Sequence, residues 1–297
     1  FQKSGEESEL FTRISLYTKH YFAVRIVDES GNPVSLISNV ASFIDSGFRS
    51  DVDGFNFSNG VSNDPQIPSL VYKKSDFSAS DACELFYGNI KNPIAKFFLC
   101  MSNVEHWLRA VRLTLHLPDG LCFGMSSASS YYYYNPDEIN KINKHAQSIY
   151  KDISMTDVRK TITKYTAQQQ ANPIWSYIKN QEETSTMLNT VENITEAFFQ
   201  RKPIVIALEW YKDPLSARSK HAVTPIAMSE FGDGVYHLYV YNSNQVGKTS
   251  EITIFPNTDE WQWGIISGTR NTHLLFVVPV QLLLEKQTPA PWDNGFY

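Results

Sequence analysis

The sequence is poor in charge of either sign and has no excess of basic residues. Its 297 residues include 26 Lys or Arg and 31 Asp or Glu, which gives a formal net charge of −5. Adjacent basic residues are rare, as at Lys73-Lys74 and Arg201-Lys202. Proteins that bind a phosphate backbone carry basic patches or stripes, so we expect no nucleic-acid partner.

Long apolar runs are also missing. The longest, LLFVVPVQLLL at 274–284, is interrupted by Pro279 and Gln281 and falls short of the roughly 20 residues that span a bilayer. It indicates a buried strand, and we expect no membrane span. The sequence opens at Phe1 without a basic and apolar leader, which fits either a removed targeting segment or a trimmed sequence. We expect a secreted or exported protein.

Cysteine is scarce, with only Cys83, Cys100 and Cys122 in the whole chain. No Cys-x-x-Cys or Cys-x-x-His pair has the spacing of a zinc site, so we expect no metal and no cofactor. In a secreted protein the odd count leaves one thiol over. Cys83 with Cys100 would then form the disulfide and Cys122 would be free; the alternative is three reduced, buried thiols.

Helical and strand patterns occupy different parts of the chain. Helical spacing predicts helices at 122–134, about 136–152, 155–171, 174–182 and 190–201. From 203 to 280, short β-branched or aromatic runs bounded by Gly, Pro, Asn or Asp predict strands. Helices followed by strands, without βαβ alternation, indicate the α+β class.

The first third of the sequence is mixed. HYFAVRIVDESGNPVSLI at 20–37 predicts two strands around a Gly-Asn-Pro turn. A region rich in Asp, Asn, Ser and Gly, from Asp45 to about Asp81, indicates loops. VRLTLHL at 111–117 alternates as a strand does.

The helix predicted to begin at Cys122 has no polar face. Tyr131 to Tyr134 point in four directions at about 100° per residue, as in a fully buried helix, and the preceding residues are mostly small. At a helix N-terminus, partial positive charge and free N–H groups stabilise a thiolate. Cys122 is therefore either a buried core residue or a nucleophile.

A nucleophilic cysteine needs a histidine base and a third group that orients it. His221 begins the apolar strand HAVTPIAM, and Asn242 ends the strand YHLYVYN. If the connecting loop is centred near Phe231-Gly232, His221 faces Asn242 across the two strands. If Asp233-Gly234 is instead a two-residue turn, Asn242 lies opposite Pro225 and the contact is lost.

GLCFGMS around Cys122, followed by KHAVTPIAM and GVYHLYVYNSN, resembles the papain-like cysteine peptidases, in particular their divergent bacterial branch. The resemblance covers about residues 116–245. It implies an α+β fold in which a central helix opens at the nucleophilic cysteine and packs against an antiparallel β-barrel or sheet half. A catalytic domain would span 116–297, with a helical half at about 122–201 and a β half at about 203–285. Residues 1–115 would form a partly β, accessory or propeptide-like region.

The same resemblance implies a thiol protease that acts on a protein or peptide substrate. Cys122 would be the nucleophile, His221 the general base and then acid, and Asn242 the group that orients His221. The backbone N–H of Cys122 would supply half of an oxyanion hole. His116 stands where these peptidases carry a Gln, and it would supply the other half.

Two other functions share this scaffold. One is acyl transfer or deamidation, as in transglutaminase-like or effector enzymes, through the same three residues. The other is a catalytically inactive papain-like binding protein whose aromatic residues serve recognition.

Overall fold

Helices packed on a mostly antiparallel sheet make up the part of the chain described by this computed structural model. That part comprises residues 17–22, 30, 40–60, 64–88, 92–101, 108, 110, 111, 114, 117, 120–211, 218–264, 266–269 and 273–289. The prediction of the α+β class is confirmed.

The helices are α1 (Ala79–Tyr87), α2 (Pro93–Met101), α3 (Cys122–Tyr134), α4 (Pro136–Ile142), α5 (Ile149–Asp152), α6 (Met155–Gln168), α7 (Ile174–Thr184) and α8 (Met187–Phe199), and Val280–Leu283 forms a 3-10 turn. The strands are β1 (His20–Phe22), β2 (Ala41–Asp45), β3 (Ser58–Asn59), β4 (Ser69–Leu70), β5 (Ala171–Asn172), β6 (Ile204–Tyr211), β7 (Arg218–Glu230), β8 (Tyr236–Tyr241), β9 (Thr249–Phe255), β10 (Glu260–Trp263), β11 (Ile266–Thr269), β12 (His273–Pro279) and β13 (Thr288–Pro289).

The long strand β7 organises the main sheet. It pairs with β6 through its first half and with β2 and β8 through its second half. The sheet continues from β8 to β9, β10 and β11, while β1 adds to β2 and β12 adds to β6. All of these pairs are antiparallel. Within the residues described, the strands do not close into a barrel.

Both faces of the β6, β7 and β12 region are covered. Val205 belongs to a core shared with α3 and α6, whereas its neighbour Ile206 belongs to a core shared with α8. Successive residues of a strand point to opposite faces, so a sheet covered on both sides requires apolar residues at every position. This accounts for the nearly continuous apolar sequence HLLFVVP of β12.

Most of the predicted helices are confirmed, with shifted ends. The segment predicted at 136–152 is two helices, α4 and α5, because polar side chains bind the backbone between them. Asp152 accepts hydrogen bonds from the N–H groups of Gln147 and Ser148, and the Ser148 side chain caps α5 by accepting from Lys151. Such local bonds compete with helix continuation.

The prediction of a strand at 111–117 is wrong. Val111 and Thr114 are helical, and the Thr114 hydroxyl donates to the Val111 carbonyl at 2.7 Å. Of the two strands predicted at 20–37, β1 covers His20–Phe22, and most of the remainder lies outside the described residues. The region predicted as loop from Asp45 to Asp81 contains the short parallel pair β3 and β4.

Candidate active site

Cys122 is the first residue of α3 and carries a free thiol. Cys83 is disulfide-bonded, so the alternative of three reduced thiols is wrong; the side chain of Cys100 lies outside the described ones. The thiol of Cys122 is half-buried. Its position at the start of a 13-residue helix places it where unpaired backbone N–H groups concentrate.

Small residues let the start of α3 approach its neighbours closely. A methyl group at Gly124 would lie 1.9 Å from the carbonyl oxygen of Ile162 in α6, so only glycine fits there. On the other side, the Ser126 hydroxyl donates to the carbonyl of Ala222 in β7 at 2.9 Å, and the Thr224 hydroxyl donates to the carbonyl of Ser126 at 3.1 Å. These bonds fix the N-terminus of α3 against the strand that carries His221.

His221 lies in β7, opposite Leu208 of β6, and only 8% of it is exposed. Its Nε2 atom lies 2.9 Å from Oδ1 of Asn242. The ring also hydrogen-bonds the thiol of Cys122. The structure therefore brings together the three residues that the sequence nominated.

The pKa values of Cys122 and His221 depend more on their pairing with each other than on burial. Burial would raise the pKa of the Cys122 thiol, but the nearby charge of His221, its hydrogen bond, and the N–H groups of Ala222 and Phe123 lower that pKa below its ordinary value. Burial would likewise lower the pKa of His221, yet the Cys122 charge and the hydrogen bonds that the ring donates to Cys122 and Asn242 raise it. The opposite shifts favour a thiolate beside an imidazolium.

The strand register differs from both predictions. Glu230 pairs with Tyr236 across a five-residue loop, and a bulge between Pro225 and Ala227 shifts the register so that Thr224 pairs with Tyr241. If this pairing continues by one residue on each strand, Asn242 lies opposite Val223. Val223 is two residues from His221, so the two side chains are on the same face of β7. Such diagonal neighbours are within reach of long side chains, so His221 and Asn242 are in contact although they do not lie directly opposite each other.

Trp263 was not predicted as a site residue; it lies within the 203–280 region that was predicted only to form strands. Its ring stacks on the His221 imidazole with centroids 5.5 Å apart and planes 11° apart. The indole therefore covers one face of the imidazole. The sequence offers no signal for this pairing, because 42 positions separate the two residues and β8 and β9 lie between them.

A pocket opens beside Cys122 and His221. Its wall is mixed, with apolar side chains from the helices and strands and a polar rim: Phe123, Gln169, Gln170, Trp175, Ile178, Lys179, Ala207, Leu208, Glu209, Lys220, Ala222 and Phe276 line it with the two reactive residues. Glu209 is 4% exposed and pairs with Lys220 at 2.8 Å. Apolar walls with a few polar groups are typical of sites that bind an organic substrate.

The predicted oxyanion hole is described only in part. Cys122 is the first helical residue, and its N–H has no partner within the helix, so this group is a candidate donor to an oxyanion. His116 lies outside the described residues, and its role stays a prediction. Asp233, in the loop between β7 and β8, accepts a bond from the N–H of Val235 at 3.0 Å.

No protein-family model, curated protein or solved structure gives a significant match to the chain. In the described part of the chain, no three His, Cys, Asp or Glu side chains are grouped as metal ligands would be. None of the helices described is both long enough and apolar enough to cross a membrane.

Proposed function

We propose that the protein is a papain-like cysteine hydrolase that cleaves peptide or other amide bonds through a covalent acyl-enzyme. The observation that carries this proposal is the hydrogen-bonded series Cys122, His221 and Asn242, of which Cys122 and His221 line a pocket. A core cysteine needs no such partners, whereas a nucleophile needs a base and an orienting group.

The reaction follows from the protonation states of the pair. The Cys122 thiolate attacks the substrate carbonyl carbon, and the electron pair of the C=O bond moves to oxygen, where the Cys122 N–H stabilises the oxyanion. The oxyanion collapses, the C–N bond breaks, and the imidazolium of His221 gives its proton to the leaving amine. A thioester on Cys122 remains.

Water completes the cycle. His221, now neutral, takes a proton from a water molecule that attacks the thioester carbon. Collapse of this second oxyanion releases the carboxylic acid and regenerates the Cys122 thiolate beside imidazolium. Oδ1 of Asn242 accepts a hydrogen bond from the Nε2–H of His221 throughout, which leaves the other ring nitrogen to exchange protons with Cys122, the substrate and water.

Peptide products made in isotopically labelled water test this proposal. The protein is incubated with a mixture of tryptic peptides in ¹⁸O-water, and new C-termini are sought by mass spectrometry. We expect new termini that carry ¹⁸O, a transient acyl adduct on Cys122, and neither product with Cys122→Ala.

Adding a primary amine separates hydrolysis from acyl transfer. A hydrolase makes mainly acids under these conditions, whereas amides of the added amine as the main products would mean a transferase. Products that persist in Cys122→Ala, or an intact peptide mixture with no adduct on the parent enzyme, would contradict the proposal.

A further inference from the structure

Asn59 lies in β3, far from the nominated residues in sequence, yet it contacts both segments that carry them. Its Oδ1 atom accepts a hydrogen bond from the N–H of Leu121 at 2.7 Å. Its Nδ2 atom donates to Oδ1 of Asn244 at 3.2 Å, and its own backbone N–H donates to the carbonyl of Ser243 at 3.1 Å. One side chain therefore joins the residue before Cys122 to the residues after Asn242.

These contacts close a ring of hydrogen bonds. The N–H of Asn244 donates to Oδ1 of Asn242 at 3.0 Å, and the same oxygen lies 2.9 Å from Nε2 of His221. His221 hydrogen-bonds Cys122, which follows Leu121 in the chain. Because Leu121 is bonded to Asn59, this series of contacts is closed. The Cys122 and His221 segments are therefore joined in two ways, by their own side chains and by the contacts of Asn59 with Leu121 and Asn244.

The start of α3 depends on this outside contact. Leu121 is the N-cap residue of α3, and a leucine offers no side-chain hydrogen bond to the helix. It is also fully buried, and a buried N–H without a partner is costly. Oδ1 of Asn59, in β3, is the acceptor for the N–H of Leu121. The N–H can only donate, which fixes the Asn59 amide with Oδ1 toward Leu121 and Nδ2 toward Asn244.

We propose that Asn59 is a positioning residue, which holds Leu121 and the 242–244 segment at a fixed separation so that Cys122 and His221 stay in hydrogen-bond contact. This role rests on the proposed cysteine hydrolase function. None of these hydrogen bonds joins Asn59 directly to the thiol or the imidazole, so Asn59 acts through Leu121, Asn244 and Asn242.

The pH profile of Cys122 alkylation by iodoacetamide tests this role in the full chain. We expect Asn59→Ala to raise the pH at which alkylation begins, because a loosened pair no longer lowers the thiol pKa as far. At any pH below the thiol pKa, the alkylation rate should fall by about tenfold for each unit of that rise. Where a peptide substrate is known, kcat should fall with little change in KM.

Two further variants define the ring. Asn244→Ala removes one link and leaves the bond to Leu121, so we expect a smaller shift in the same direction. The double variant should shift no further than Asn59→Ala, because both changes break the same ring. Asn244→Ala also keeps the proposal testable if Asn59→Ala does not fold.

Asn135→Ala is the matched control, since Asn135 binds the Tyr131 carbonyl at the other end of α3. It should lower the melting temperature without moving the pH profile. A profile that stays in place in both Asn59→Ala and Asn244→Ala overturns the positioning role, whatever happens to stability. A parent protein whose Cys122 reacts as an ordinary thiol contradicts the hydrolase proposal instead.

Discussion

The two ends of α3 bury ionisable groups in opposite ways. At the start of the helix, burial raises and His221 lowers the pKa of Cys122, and the net result is a lowered pKa. At the end, burial is the largest cause that raises the pKa of Tyr133 and Tyr134, and hydrogen-bonded or nearby tyrosines raise it further. Tyr133 is held neutral, donating to the Ser46 carbonyl at 2.6 Å.

This difference shows what separates a reactive buried group from a structural one. Burial alone disfavours the charged form of any acid. A charged form survives in the protein only where an opposite charge and oriented hydrogen bonds offset the lost hydration. Both ends of α3 are at least partly buried, and among the described residues only the Cys122 end has a buried histidine partner.

The largest expected effect comes from removing that partner. In His221→Ala, burial acts on Cys122 without the opposing charge, so the thiol pKa rises above the free value of about 8.5. At about pH 6 the thiolate is then nearly absent, and iodoacetamide labelling of Cys122 should slow by roughly a hundredfold or more. Mass spectrometry of the labelled chain measures this rate.

His237→Ala is the control, because His237 lies in β8 and contacts Glu251 at 2.8 Å, away from the site. It should label as the parent does. Equal labelling rates in the parent and in His221→Ala would show that Cys122 is a structural residue, like Tyr133 at the other end of α3.

A smaller effect should follow from widening the contact between α3 and α6. The methyl group of Gly124→Ala would collide with the Ile162 backbone and the Thr166 hydroxyl, so the helices must separate. We expect a loss of about 1–3 kcal/mol of unfolding free energy, as in overpacked cores, and slower labelling of Cys122. Urea denaturation measures the first quantity and alkylation the second.

Gly88→Ala, at the residue that follows α1, provides the comparison for this substitution. No atom of the described residues lies within 4 Å of a methyl group at Gly88, although its φ of +81° is strained for alanine. This substitution should therefore lower the unfolding free energy without slowing the labelling of Cys122. If Gly124→Ala is as stable and as reactive as the parent, the close approach does not position the thiol.

The smallest effect is expected at the tyrosine end. Tyr133→Phe loses the hydrogen bonds to the Ser46 carbonyl and to the Tyr17 hydroxyl, the latter at 2.9 Å. We expect unfolding free energy to fall by about 1 kcal/mol, with Cys122 labelling unchanged. Tyr131→Phe should be nearly neutral, since the hydroxyl of Tyr131 has no hydrogen bond among the described residues. Slower labelling in Tyr133→Phe would show that the two ends of α3 are coupled.

The sequence predicted the elements of the second half of the chain well, for local reasons. The start of α3 at Cys122 and the strands β6 to β9 follow from periodicity, turn residues and β-branched or aromatic composition. The helical conformation of Val111 and Thr114 was missed because alternation over seven residues can also arise by chance within a helix.

The register of β7 and β8 could not be predicted from local patterns. The loop spans five residues, since Glu230 accepts bonds from the N–H groups of Gly232 and Gly234 at 2.6 and 3.1 Å. The bulge near Pro225 then shifts the pairing, and the Ile226 carbonyl in the bulge binds Ser46 from the other end of the chain. A bulge held by so distant a residue leaves no nearby signal.

The sequence by itself determined which side chains have the chemistry for a nucleophile, a base and an orienting amide: Cys122, His221 and Asn242. Only the tertiary structure decided that these three meet, and that Trp263 and Asn59 belong with them. Residue type and spacing fix chemical capacity and local conformation. Contacts between residues tens to hundreds of positions apart depend on loop lengths, bulges and close helix packing, which become definite only when the whole core is formed.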